Sequence, residues 1–122
     1  IPAIAMGNSA VVIPSETAPF SATDFYQILD TSDVPGGTVN IITGKKEALA
    51  ADIAKHDNID GIWYFGSKEG SQKVENLSTD NMKRTWVNYG KYRNWSDDNQ
   101  GEGTIFLRNA TQIKNIWIPY GA

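Results

Sequence analysis

The stretch IDGIWYFGSKEGSQKV, residues 59–74, runs from a short apolar segment through a Gly-Ser pair into a helix-favouring sequence. Ile62 to Phe65 predict a buried strand, and Ser67 is placed to be the N-cap of the helix that follows. Many nucleotide-binding folds hold a phosphate at a turn of this kind, because the first N–H groups of the helix point outward. The turn Gly66-Ser67 is therefore the first candidate for a binding site.

The same order of strand and helix recurs on both sides of this stretch. Residues 8–16 and 34–44 each contain an apolar, β-branched run that leads into a helical pattern, and residues 83–91 supply a fourth strand. Strands that alternate with helices predict right-handed βαβ units. The expected fold class is α/β, with a mostly parallel sheet and helices on both faces.

The alternation stops after Lys91, which divides the chain into residues 1–91 and residues 92–122. Residues 92–103 are polar and acidic and predict a long loop. A short helical turn is expected next, and residues 111–122 predict a last strand at the edge of the sheet. An edge strand is where a second chain can add.

Composition limits the classes of function. The 122 residues include 11 basic and 14 acidic ones, so the net charge of −3 gives no basic surplus for nucleic acid. No apolar run is long enough to cross a bilayer, and no export signal is recognisable, so we expect a cytoplasmic protein without membrane contact. Ile1 is not an initiator residue, which suggests a piece of something longer.

Residues suited to covalent or metal chemistry are scarce. The sequence has no cysteine, which excludes a thiol nucleophile and a thiolate metal site within it. His56 is the single histidine and lies at the end of a helical pattern, where a solvated residue next to the helix dipole is the simpler interpretation. Asp97, Asp98 and Glu102 are most simply solvating. We therefore predict no catalytic and no metal-binding residue. An enzyme of unrelated class that uses His56 or the acidic loop is kept as a further hypothesis.

Three residues at two places in the chain remain as candidate cofactor contacts, and each place has a structural alternative. Gly66 and Ser67 could hold a phosphate, or they could be only a tight turn and an N-cap. Glu16 follows the first full strand at the carboxyl edge of the sheet and could accept ribose hydroxyls, or it could favour the dipole of the next helix.

Several separate motifs, in order and spacing, resemble the cofactor domain of the aldehyde dehydrogenase superfamily. They are PAIAMGNSAVVIPSE at residues 2–16, VPGGTVNIITG at 34–44 and HDNIDGIWYFGS at 56–67. The resemblance implies a Rossmann-like domain over residues 1–91, with Glu16, Gly66 and Ser67 as the remaining contacts to NAD(P). Ile13 stands where the family has a ribose-contacting lysine, and Val87 stands where it has a general-base glutamate.

The chain most resembles the shortened, non-catalytic C-terminal module of long, two-module aldehyde dehydrogenases. This resemblance implies a parent enzyme that oxidises aldehydes with NAD(P), a fragment that binds no cofactor itself, and packing against the catalytic module of the same parent chain. A non-catalytic NAD-binding module is the alternative. TQIKNIWIPYG at residues 111–121 is similar to the superfamily's oligomerisation strand and implies a homodimer. The expected interface residues are Thr111, Gln112, Ile113, Lys114, Asn115, Ile116, Trp117 and Ile118.

Overall fold

The computed structural model describes residues 1–121 and confirms the predicted alternation of strands and helices. The elements of this range are α1 (Pro2–Ala5), β1 (Ala10–Val12), α2 (Phe20–Asp30), β2 (Val39–Ile41), α3 (Lys46–Lys55), β3 (Gly61–Tyr64), α4 (Lys68–Leu77), β4 (Arg84–Val87), α5 (Asp98–Gly101) and α6 (Thr104–Asn109).

The strands pair in parallel, as expected for an α/β fold, but they form two pairs rather than one continuous sheet. β1 pairs with β2, and Ala10 lies opposite Val39. β3 pairs with β4, and Trp63 lies opposite Trp86. Each pair is joined by the helix between its strands, because parallel strands cannot be connected by a tight turn. The prediction of parallel pairing was correct, and the division into two sheets was not visible in the sequence.

One face of the β3–β4 sheet forms the core with α3 and α4. Ile62 and Tyr64 point to this face, since successive side chains of a strand alternate. They form a buried cluster with Ala50 and Ala54 of α3 and Val74 of α4. The two alanines keep α3 thin enough to lie close to α4.

The opposite face of the same sheet carries an aromatic cluster. The rings of Trp63 and Trp86 lie 5.1 Å apart, and Phe106 of α6 lies 5.2 Å from Trp86. Trp95 packs at 5.0 Å from Phe65, so residues 92–103 fold back onto the sheet. The predicted long loop thus lies against the sheet and contains the short helix α5. Helices therefore cover both faces of this sheet.

Two parts of the chain have little or no burial. None of residues 1–49 is buried, although they include β1, β2 and α2. Residues 111–121, named the C-terminal arm from here on, form neither helix nor strand. The predicted last strand is absent within the single chain because the arm has no neighbouring backbone with which to exchange hydrogen bonds. Ile116 and Trp117 are 83% and 91% exposed.

Candidate functional site

The Gly-Ser turn connects β3 to α4 as the sequence predicts. β3 ends at Tyr64, and Ser67 is the N-cap of α4. The Ser67 hydroxyl accepts a hydrogen bond from the Gly70 N–H at 3.0 Å. This bond satisfies one of the donors that a helix start otherwise leaves free.

A second turn, at the end of β4, closes over the first. The Gly66 N–H donates to Asn88 Oδ1 at 2.9 Å, and the Tyr89 N–H donates to Ser71 Oγ at 3.1 Å. Tyr89 adopts a φ of +52°, a left-handed conformation that these bonds hold in place. The sequence analysis did not single out Asn88. Its position directly after a strand that ends at the same edge as Gly66 could have identified it.

Tyr64 fills the space beside the Gly-Ser turn. Its side chain is 4% exposed, and its hydroxyl donates to Glu47 Oε1 at 2.7 Å. A Cβ on Gly66 would lie 2.6 Å from the Tyr64 oxygen, and a Cβ on Gly70 would overlap it. The tyrosine hydroxyl therefore lies against the backbone of both glycines.

The Tyr64 hydroxyl stays protonated near neutral pH. Burial raises the pKa of Tyr64, the bond to Glu47 raises this pKa further, and Ser67 opposes the shift. The hydroxyl is thus a fixed hydrogen-bond donor to Glu47. The Tyr64 hydroxyl and the Glu47 carboxylate thus lie near the start of α4, where the helix dipole would favour a bound anion.

Glu16 lies at the same edge, and its carboxylate is hydrogen-bonded within the chain. Its Oε1 accepts a hydrogen bond from the Lys46 N–H at 2.6 Å, so the carboxylate satisfies the first turn of α3. The predicted alternative placed Glu16 beside the next helix, α2; the helix it caps is α3, 30 residues further along the chain. The Lys46 ammonium donates to the Phe65 carbonyl at 2.7 Å. Lys46 therefore joins Glu16 to the strand that leads into the Gly-Ser turn.

Groups of the chain itself occupy part of the Gly-Ser turn, where the resemblance implies the pyrophosphate of NAD(P). The N–H groups of Gly66 and Gly70 are already bonded to Asn88 and Ser67. The Tyr64 hydroxyl occupies the space against both glycines, and it is bonded to a carboxylate that would repel a phosphate.

The remaining candidates do not form a catalytic group. His56 follows α3 as its C-cap and is exposed, and its Nδ1 accepts a bond from the Asn58 N–H at 3.2 Å. Val87, at the position of the family's general base, ends β4 and is half-buried. Within residues 1–121, no three acidic, histidine or cysteine side chains lie close enough together to hold a metal ion. In the same range, no helix has both the length and the apolar character that spanning a bilayer requires.

The parallel strands with crossover helices, and the Gly-Ser turn at a helix start, define a Rossmann-like α/β protein. Residues 1–92 match the model of the aldehyde dehydrogenase family. The chain belongs to this family.

Individual relatives agree with the family assignment and show how little of a whole enzyme the chain spans. An NADP/NAD-dependent aldehyde dehydrogenase of Escherichia coli, PuuC, is 34% identical over 73% of the chain, and a hydroxyisobutyraldehyde dehydrogenase of Mycolicibacterium austroafricanum is 30% identical over 73%. The crystal structure of an aldehyde dehydrogenase from Bartonella henselae superimposes with a TM-score of 0.67 at 30% identity, over 70% of the chain. In all three cases the chain spans 18% of the relative's length.

Proposed function

We propose that the chain is a non-catalytic module of a larger, cytoplasmic NAD(P)-dependent aldehyde dehydrogenase. In this proposal it packs against the catalytic module of the same parent chain and supports assembly of a homodimer through residues 111–118. Its function is structural, and it binds no dinucleotide itself. The observation that carries the proposal is the large area of surface that the chain leaves uncovered.

The accessible surface of the chain is 9158 Å². A folded monomer of 122 residues is expected to expose about 6,500 Å². The excess on this one chain is about 2,700 Å². It corresponds to the upper end of what large permanent interfaces bury, about 5,000 Å² summed over both partners. The excess surface is explained if another protein module normally covers part of the chain.

The uncovered surface includes large apolar side chains in the β1–β2 region and in α2. Val11, Val12 and Ile42 of the β1–β2 region are 43%, 38% and 43% exposed, and Phe20 of α2 is 76% exposed. Burying such side chains contributes about 25 cal/mol per Å². We assign the surface of the β1–β2 region to contact with the catalytic module. We assign the C-terminal arm to contact with a second copy of the chain.

Two features argue against chemistry in the chain itself. Oxidation through a covalent thiohemiacetal needs a thiolate, and the sequence has no cysteine. At the family's general-base position Val87 cannot accept a proton from water. The occupation of the Gly-Ser turn by Tyr64 and Glu47 supports the absence of a bound cofactor.

Isothermal titration of NAD into the 122-residue chain tests the proposal. We expect no binding tighter than about millimolar, which corresponds to roughly 4 kcal/mol. Tighter binding that is lost in Lys68→Ala, which removes a cation from the first turn of α4, would instead establish the chain as an NAD-binding module. Glu102→Ala serves as the control, because it changes a charge in the segment after β4. Turnover of an aldehyde by the chain alone would contradict a non-catalytic role.

A further inference from the structure

The helix that precedes the C-terminal arm ends with all of its last carbonyls bonded. An α-helix normally leaves its last four C=O groups without a partner inside the helix. In α6 the Thr111 hydroxyl lies 3.2 Å from the carbonyls of both Leu107 and Arg108. The next two carbonyls, those of Asn109 and Ala110, accept bonds from side chains that are distant in sequence.

These two distant donors are Arg84 and Asn8. The guanidinium of Arg84 donates to the Asn109 carbonyl. The side-chain amide of Asn8 donates to the Ala110 carbonyl at 2.8 Å. Two successive carbonyls at the root of the arm are therefore held from two different parts of the domain.

Both donors are themselves held in place. Arg84 is the first residue of β4 and pairs opposite Gly61. Asn8 follows Gly7, whose φ of +84° ends α1, and both the backbone N–H and the side-chain amide of Asn8 bond to the Ala3 carbonyl at 3.0 Å. Because strand pairing holds the backbone of Arg84 and the bonds to Ala3 hold Asn8, both donors start from fixed points, and the end of α6 has a defined position on the domain.

From this we infer that Asn8 and Arg84 are positioning residues that set the direction in which the C-terminal arm leaves the domain. The inference rests on the proposed function, in which the arm contacts a second copy. An arm with a fixed root loses less conformational entropy when it binds than one that pivots freely, so its partner binds it more tightly. Replacing either anchor loosens the arm without altering the arm's own sequence.

Pulsed electron spin resonance measures the direction of the arm. The chain has no cysteine, so spin labels can be attached cleanly through Asp52→Cys on the exposed side of α3 and Ile113→Cys on the arm. The labelled chain is diluted into an excess of unlabelled chain so that only distances within one molecule are recorded. We expect a narrow distance distribution, which widens at least about twofold when Asn8→Asp removes the amide donor and frees the end of α6.

Matched variants separate positioning from general loss of structure. Asn40→Asp is the control, because the Asn40 amide in β2 bonds to the nearby Gly37 carbonyl, at 2.8 Å, and not to α6. Arg84→Met removes the second anchor and should widen the distribution as well, whereas Asn8→Gln, which keeps an amide, should restore part of the narrow distribution. If Asn8→Asp fails to fold, Arg84→Met gives the same comparison.

The outcomes distinguish this inference from the proposed function. An unchanged distance distribution in both Asn8→Asp and Arg84→Met overturns the positioning role. A widened distribution supports it, whatever the oligomeric state. Sedimentation of the same variants reports on assembly separately, and a wild-type chain that stays monomeric contradicts the assembly role alone.

Discussion

Replacing Gly70 with alanine tests how tightly Tyr64 occupies the Gly-Ser turn. An alanine Cβ at this position would overlap the Tyr64 hydroxyl and lie 2.6 Å from Cζ of the ring. Tyr64 is 4% exposed and bonded to Glu47, so its ring cannot move away without losing that bond. The substitution therefore forces a shift of a packed side chain.

The magnitude follows from three contributions. Overpacking a core side chain costs about 1–3 kcal/mol. Loss of the hydrogen bond between Tyr64 and Glu47 adds about 1 kcal/mol. Replacement of glycine by alanine inside a helix returns about 1 kcal/mol. We expect Gly70→Ala to lower the free energy of unfolding by about 1–3 kcal/mol.

Urea denaturation followed by circular dichroism measures this difference. In a Tyr64→Leu background the overlapping hydroxyl is gone, so the same Gly70→Ala substitution should be neutral or stabilising. Gly36→Ala is the control, since no heavy atom lies within 4 Å of its Cβ position. If Gly70→Ala has the same effect in both backgrounds, the two residues are not coupled, and the argument that Tyr64 fills the turn fails.

Three further outcomes are expected. Burial and the bond to Glu47 raise the pKa of Tyr64, so the stability due to this group is present below about pH 10 and is lost as the pH rises through its folded pKa. In urea titrations, the stability advantage of the wild type over Tyr64→Phe should therefore shrink in that pH range. The Arg93 guanidinium lies 5.1 Å from the Phe106 ring and 5.2 Å from the Trp86 ring, so Arg93→Met should lower the free energy of unfolding by about 1–2 kcal/mol. The control Arg108→Met, at an exposed position, should change this free energy by less than about 0.5 kcal/mol. Equal losses in the two variants would show that the ring contacts contribute nothing. Trp117→Asp should reduce the oligomer size measured by sedimentation, because Trp117 is 91% exposed on the arm. The control Asn115→Asp adds the same charge to the arm and should reduce the size less. An unchanged size for Trp117→Asp would rule out the arm as the contact.

The elements around residues 59–74 were predictable from the sequence because their causes are local. β-branched and aromatic residues favour β3, a serine able to act as N-cap favours the start of α4, and glycine permits the turn between them. The resemblance to the aldehyde dehydrogenase family also depended only on the order and spacing of motifs, and the match over residues 1–92 confirms it.

The occupancy of the candidate site was not predictable from the sequence. Glu16 caps a helix 30 residues away, Glu47 receives the Tyr64 hydroxyl, and Asn88 takes the N–H of Gly66. Each of these bonds joins residues from different elements. The packing of the helices and strands determines which residues become hydrogen-bond partners, and local sequence patterns do not encode this packing.

The sequence by itself determined the strands and helices of residues 1–91, and it left the chain without a thiol for chemistry. Only the tertiary structure decided that the strands divide into two parallel pairs, that Tyr64 fills the Gly-Ser turn, and that the arm remains unpaired. The physical reason is that propensities and caps act over a few residues, whereas strand pairing and side-chain packing depend on which distant surfaces meet.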